Sequence, residues 1–367
     1  MQIPLFRPVV SEEAIKSVAE VLRSGWLGLG PKTEAFERKF ADYIGVPYCA
    51  GLNSCTAALH LGLSLLDLKP GSEVITTALT FISTNHAILY NSLKPVFADV
   101  QPETGNLDVK SVSRMISEKT GAIMLMHYGG YPCDLDEFYD LSRKHNIPII
   151  EDCAHACGAT YKDKRIGSHG DIHAFSFHAV KNLTAGDGGA LTVKSEKHYL
   201  RLKKLRWLGI DRDTFQRNRP QAYDWEYDVN ELGFKYQMND IHAAIALSQL
   251  PLLEIQNARR AEIASLYAGR LANVPGVSLL KYKNDRKSSF HLFCVLAEKR
   301  DDLVNKLREN GVAVSVHYRR NDLYPMYEKQ ELPNAEHFWR SVISLPMHLA
   351  LTDEHIGYIT DIIGKGW

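Results

Sequence analysis

The sequence predicts an α/β protein in which a large domain, residues 1–250, holds a mostly parallel central sheet and a smaller α+β C-terminal domain, residues 251–367, follows. Three observations predict it. Short apolar runs recur at Glu73–Thr77, Pro95–Val100, Ala122–His127 and Pro148–Glu151, each set off by a helix-like segment, as buried parallel strands joined by crossover helices would be. A helical pattern from Asn239 is interrupted at Pro251 and resumes over Leu252–Leu271, which places the domain boundary. The 367 residues also exceed the roughly 250–300 at which a single core stops growing.

From Glu12 to Arg23 the apolar positions Ala14, Ile15, Val18, Ala19 and Leu22 fall at helical spacing, with Ser11 placed to cap the helix. Glu34–Ile44 repeats the pattern and stops at Gly45. Val46–Gly51 reads as a short strand entering a turn, and Ser54 can cap the helix that runs on to Leu66. After Asp152 the strand-like pieces are shorter, and Asp171–Phe177 and Gly189–Val193 flank Lys181. The polar stretch Asp211–Asp228 has no periodicity and reads as a long loop, a length usually tied to function or disorder. The last third carries strand-like Ser289–Leu296 and Ala313–His317 and helical Asp301–Asn310.

Composition narrows the partners. Lysine plus arginine and aspartate plus glutamate each number 43, so no net basic field draws the chain to nucleic acid or anionic membrane. The start, Met1–Pro8, lacks a basic stretch followed by an apolar run, and no apolar stretch nears the ~20 residues of a spanning helix. Secretion and membrane insertion are therefore not expected. Six sparse cysteines fit a reduced, cytoplasmic setting better than a disulfide framework.

Three segments could meet at the C-terminal ends of parallel strands. The first, Gly51-Leu52-Asn53-Ser54-Cys55-Thr56, is a strand end, a small-residue turn and a helix start; it can hold an anion on free N–H groups or simply cap a helix. In the second, Asp152 directly follows the apolar run Ile149-Ile150 and Glu151, where a carboxylate can hold a proton on a heteroaromatic nitrogen or cap the next segment. Cys153, His155 and Cys157 lack a second ligand pair, a poor zinc pattern, so no metal is expected. The third places Lys181 between the aromatic run Phe175-Ser176-Phe177 and the glycine-rich Gly186-Asp187-Gly188-Gly189. Such a lysine is either a surface charge or, in a cleft with a lowered pKa, a Schiff-base former.

Taken together, Ser54-Cys55-Thr56, Asp152 and the run Ser176-Phe177-His178 through Lys181-Asn182, Thr184, Gly186 and Gly188-Gly189 resemble the DegT/DnrJ/EryC1/StrS family of sugar aminotransferases, of the aspartate-aminotransferase fold type. Ser24–Pro31, Gly233–Asp240 and Ser344–Met347 extend the resemblance over nearly the whole chain. It implies a pyridoxal 5'-phosphate (PLP) enzyme in which Lys181 forms the Schiff base and shuttles protons, with pyridoxamine phosphate as the intermediate. Asp152 would pair with the pyridinium nitrogen, Phe81 stack on the ring, His155 sit over the ring oxygen, and Ser54, Cys55, Thr56 and Ser176 hold the phosphate. Lys235 stands where the family has an asparagine that reaches the phosphate of the second subunit, which implies a homodimer with a shared active site. His317 matches a position facing the sugar, and Arg212, Arg217 and Arg219 could pair with a nucleotide diphosphate.

The implied reaction takes the amino group of L-glutamate to a ketosugar, nucleotide-linked as a dTDP-, GDP- or UDP-4-keto-6-deoxyhexose. The amino sugar would serve a surface polysaccharide such as the O-antigen of lipopolysaccharide. Amination at C3 or of a sugar without a nucleotide, and a non-catalytic PLP-binding regulator of the same fold, are the alternatives; the intact Lys181 speaks against the regulator. A dinucleotide-dependent oxidoreductase would need its glycine turn after the first strand, whereas Gly25, Gly28 and Gly30 follow a helix pattern.

Overall fold

A computed structural model describes residues 1–211 and 227–367. Arg212, Arg217 and Arg219 lie outside the described residues. Helices α1 (Glu12–Ser24) and α2 (Pro31–Ile44) lead into β1 (Tyr48–Leu52), α3 (Cys55–Ser64), β2 (Glu73–Thr77), α4 (Ile82–Tyr90), β3 (Lys94–Ala98), α5 (Val109–Met115), β4 (Thr120–Met126), α6 (Leu135–His145) and β5 (Ile149–Asp152). A small hairpin, β6 (Thr160–Tyr161) and β7 (Lys164–Arg165), precedes β8 (Ile172–Ser176), β9 (Gly189–Val193) and α7 (Glu196–Leu205). Ser11 and Ser54 cap α1 and α3 with their side chains, accepting from the Ala14 and Ala57 N–H groups.

The central seven-stranded sheet has the order β1-β9-β8-β5-β4-β2-β3. Its strands pair in parallel except β9, which is antiparallel to both β1 and β8. The reason is the connection: β8 and β9 are joined by the 177–188 loop, without the helix that a parallel crossover needs. Alternate residues feed two cores, as the strand period requires. Ile123, Leu125 and Phe175 join Phe36, Phe40 and Phe138 on one face. Ala122, Met124 and Ala174 join Leu52, Leu59, Leu61 and Leu191 on the other. Burial on both faces explains why these strands read as unbroken apolar runs.

The rest of the chain comprises α8 (Asp240–Gln249), α9 (Leu253–Leu271), β10 (Val277–Leu279), β11 (Arg286–Lys287), β12 (Phe293–Ala297), α10 (Arg300–Glu309), α11 (Pro333–Ser341), β13 (Val342–Leu345) and α12 (Asp353–Gly364). Pro251 sits in a 3-10 turn between α8 and α9. Strands β10, β12 and β13 form an antiparallel sheet over a core of Ile263, Tyr267, Phe293, Leu303, Ile343 and Ile359, which Ile3 joins from the N-terminus. Helix α9 spans two cores, with Leu253 in that of the central sheet and Ile263 in this one.

Two expected strands are shorter than their apolar patterns. The run Ser289–Leu296 becomes a strand only from Phe293, because Phe290 takes a left-handed φ of 47° and the Ser289 and Leu292 N–H groups donate to Gly130 and Gly129 instead. Ala313–His317 is no strand; it is tied by isolated bridges, Val312 to Ile3 and Ser315 to Ser344. Both departures carry histidines, His291 and His317, toward the ends of the central strands.

Candidate active site

The turn after β1 is built to present backbone N–H groups. Ser54 Oγ accepts from Ala57 N at 3.1 Å and caps α3, leaving the Cys55 and Thr56 N–H groups in the helix's unpaired first turn at the positive end of its dipole. Gly51 anchors the turn: its N–H donates to Glu37 Oε1 at 2.8 Å, its carbonyl accepts from Arg206 Nη1 at 3.0 Å, and Glu37 and Arg206 form a buried ion pair. Gly189 pairs with both Leu52 and Ser176 across the sheet, and a Cβ there would lie 2.5 Å from Cys55 N. Only glycine lets β9 begin this close to the turn. Cys55 starts a right-handed helix and needs no positive φ, so its side chain leaves the turn intact.

Strand β5 delivers Asp152 to the same end of the sheet, 3% exposed. Its Oδ2 accepts from Thr84 Oγ1 at 2.8 Å and its Oδ1 from Ala154 N at 3.0 Å. Burial pushes its carboxyl up, while these two hydrogen bonds and Lys181 pull it back. With Thr84 donating, the Thr80 hydroxyl 2.7 Å away is the donor to Thr84. Glu151, one residue earlier, points to the opposite face, where the fully buried His127 and His173 and the partly buried Tyr139 all gather on its buried carboxylate. His127, Glu151 and Cys153 could together hold a metal, but those hydrogen bonds already account for His127 and Glu151.

Lys181 lies in the loop between β8 and β9, with Nζ 3.3 Å from His291 Nε2. Burial lowers its pKa to about 8, against the pull of the Asp152 carboxylate. His155 Nε2 lies 3.0 Å from the Tyr318 hydroxyl, while its Nδ1 is buried with no hydrogen-bond partner among the described residues. Phe81 precedes α4 and is 59% exposed, its ring 6.2 Å from that of Tyr318. His317 Nδ1 is 2.8 Å from Ser344 Oγ, and burial, helped by Lys181, holds its pKa down to about 4. Ser176 ends β8, its Oγ 3.5 Å from the His178 N–H. The cleft thus gathers the turn, Phe81, Asp152, His155, Ser176, Lys181 and His317. Lys235 is exposed and its Nζ rests over the Trp207 ring, 3.3 Å from the centroid, while its carbonyl accepts from Asn53 Nδ2 at 3.3 Å.

Thr84, His291 and Tyr318 were not legible as site residues. Thr84 reads as helix interior, and His291 and Tyr318 come from the last third of the chain. The signals were slight: a histidine inside the apolar run Phe290–Leu296, and a tyrosine directly after His317.

Residues 8–364 match the model of the DegT/DnrJ/EryC1/StrS aminotransferase family. The spore coat polysaccharide biosynthesis protein SpsC of Bacillus subtilis is 34% identical over 98% of this chain and 96% of its own length. The crystal structure of the sugar aminotransferase CalS13 from Micromonospora echinospora is 34% identical with a TM-score of 0.93, covering all of both chains. Spr1654 from Streptococcus pneumoniae in its PLP form is 32% identical with a TM-score of 0.93, over all of this chain and 98% of that one. The fold and the cleft together define a PLP-dependent transaminase. This chain belongs to the DegT/DnrJ/EryC1/StrS family and is a sugar aminotransferase.

The residues present fit the cofactor. An exposed aromatic face at Phe81, an orphaned buried nitrogen on His155, a desolvated carboxylate and amine, and an unpaired helix start are what a planar, charged, phosphorylated ring would complete. Because only the free amine attacks an aldehyde, capture of PLP by the cofactor-free protein is expected to speed up as pH rises through about 8 and then level off. Growth of the visible absorbance band reads this out. A midpoint at the ordinary lysine value, ~10.4, would contradict it.

Proposed function

We propose that the enzyme transfers the amino group of L-glutamate to the keto carbon of a nucleotide-linked 4-keto-6-deoxyhexose, carried on dTDP, GDP or UDP, and releases 2-oxoglutarate. The observation that carries the reading is the juxtaposition of Lys181, whose amine is free in part at neutral pH, with the buried Asp152. Bound PLP supplies the electron sink that makes the donor's Cα acidic. Cys55 and Thr56 N–H groups, the Thr56 hydroxyl and Ser176 would hold its phosphate, Phe81 its face, His155 its ring oxygen and Asp152 its ring nitrogen. Lys181 Nζ takes the proton from the donor's Cα in one half of the cycle and returns a proton to the sugar carbon in the other. His317 faces the sugar, and Arg212, Arg217 and Arg219 pair with its diphosphate.

A cytoplasmic homodimer with a shared active site completes the proposal, Lys235 reaching the second subunit's phosphate as a point charge. Exposed Leu208, Val229 and Leu232, the last 85% exposed, lie around Lys235 and support a covered interface there. All six cysteines are free and buried, in keeping with a reducing setting. No helix among the described residues is long and apolar enough to cross a membrane. The product fits a surface polysaccharide such as O-antigen. The test is incubation with L-glutamate and a dTDP-4-keto-6-deoxyglucose mixture, followed by mass spectrometry. Equal amounts of aminated sugar nucleotide and 2-oxoglutarate are expected; oxoglutarate without aminated nucleotide would overturn the acceptor, and neither product would overturn the pairing.

A further inference from the structure

We infer that His291 is the positioning residue of Lys181: a neutral imidazole, locked in one tautomer by Asn182, whose bare Nε2 holds the lysine amine in the cleft. The inference rests on the reading of Lys181 as the cofactor lysine.

The tautomer follows from a chain of hydrogen bonds. Asn182 Nδ2 donates to the Ser289 carbonyl at 2.7 Å and to Asn257 Oδ1 at 2.8 Å. A backbone carbonyl can only accept, so the amide cannot be flipped, and Asn182 Oδ1 faces His291 Nδ1 at 3.2 Å. That ring nitrogen therefore carries the hydrogen. The titratable and charged groups facing the ring are Lys181, His155, His317 and Arg260, and each disfavours an imidazolium, as does burial at 4% exposure. His291 Nε2 is left with a lone pair only, and Lys181 Nζ, 3.3 Å away, is the donor.

The ring itself has no freedom to drift. Phe6 stacks on it at 5.7 Å and 7° between planes, and His155 lies 4.3 Å away between centroids. Its backbone is tied to the end of the central sheet by the bonds from Ser289 N to Gly130 O and from Leu292 N to Gly129 O. Phe290, with its left-handed φ, turns the segment so that the histidine enters the cleft. An acceptor at Nε2 favours the donating ammonium and fixes where Nζ waits, so His291 moderates the fall in basicity that burial imposes on Lys181.

The test compares His291→Phe, which keeps a ring between Phe6 and His155 without an acceptor, with His291→Gln, which keeps an acceptor. In cofactor-free protein, competitive acylation of Lys181 by acetic anhydride, mapped by mass spectrometry across pH, gives its midpoint directly. The Phe variant is expected to titrate at lower pH than the wild type, and its kcat to fall by about tenfold or more with the sugar KM unchanged; the Gln variant is expected to recover most of both. A labelling midpoint and kcat unchanged in the Phe variant would overturn the proposal. Equal losses in both variants would also overturn it, by showing that only packing matters. The labelling needs no cofactor, so its outcome is separate from whether Lys181 binds PLP, which activity surviving in Lys181→Ala would disprove.

Discussion

Replacing Lys181 with alanine is expected to reduce sugar amination by at least about a thousandfold, because the substitution removes both the amine that binds the cofactor and the base that moves the donor's proton. The fold should be unaffected. Among the described residues Lys181 Nζ has one hydrogen-bond partner, His291, and losing a desolvated amine relieves rather than adds to the burial cost. Initial rates together with a thermal melt separate the two effects. A variant that keeps a tenth of the wild-type rate with an unchanged melt would remove Lys181 from the chemistry.

Asp152→Asn is the second large effect, an expected loss of about a hundredfold to a thousandfold in kcat with the protein still folded. Asparagine keeps the shape and can still accept from Ala154 N, but it has no charge with which to hold a proton on the cofactor's ring nitrogen. The substitution also removes the carboxylate that raises the Lys181 pKa against burial, so the midpoint for cofactor capture should move below about 8. Rate and midpoint fall together here. If Asp152 only capped the following segment, the substitution would lower neither by much.

Much of this site was legible because it is local. Ser54, Asp152 and Ser176 stand at or just after the ends of β1, β5 and β8, and short apolar runs followed by small or polar residues mark such ends in the sequence. The parallel strands were visible for the same reason, each being buried on both faces. The direction of β9 was not, since an apolar run carries no sign of which way it pairs; it follows from the helix-free loop that bears Lys181. His291 and Tyr318 were hidden because their roles arise only when the last third of the chain folds back over the central sheet. The run Ser289–Leu296 looked like one strand, and what shortens it, hydrogen bonding to Gly129 and Gly130 and the left-handed turn at Phe290, is a tertiary contact. Thr84 was masked by its place in α4, where a hydroxyl aimed at Asp152 resembles any other helix residue.

The most direct measurement of the central claim is to reconstitute the protein with PLP, reduce it with borohydride and map the modified peptide by mass spectrometry. A single phosphopyridoxyl group on Lys181 is the expected result. Modification of another lysine, or of none, would contradict the assignment of Lys181 and the roles of Asp152, His155 and His291 that depend on it.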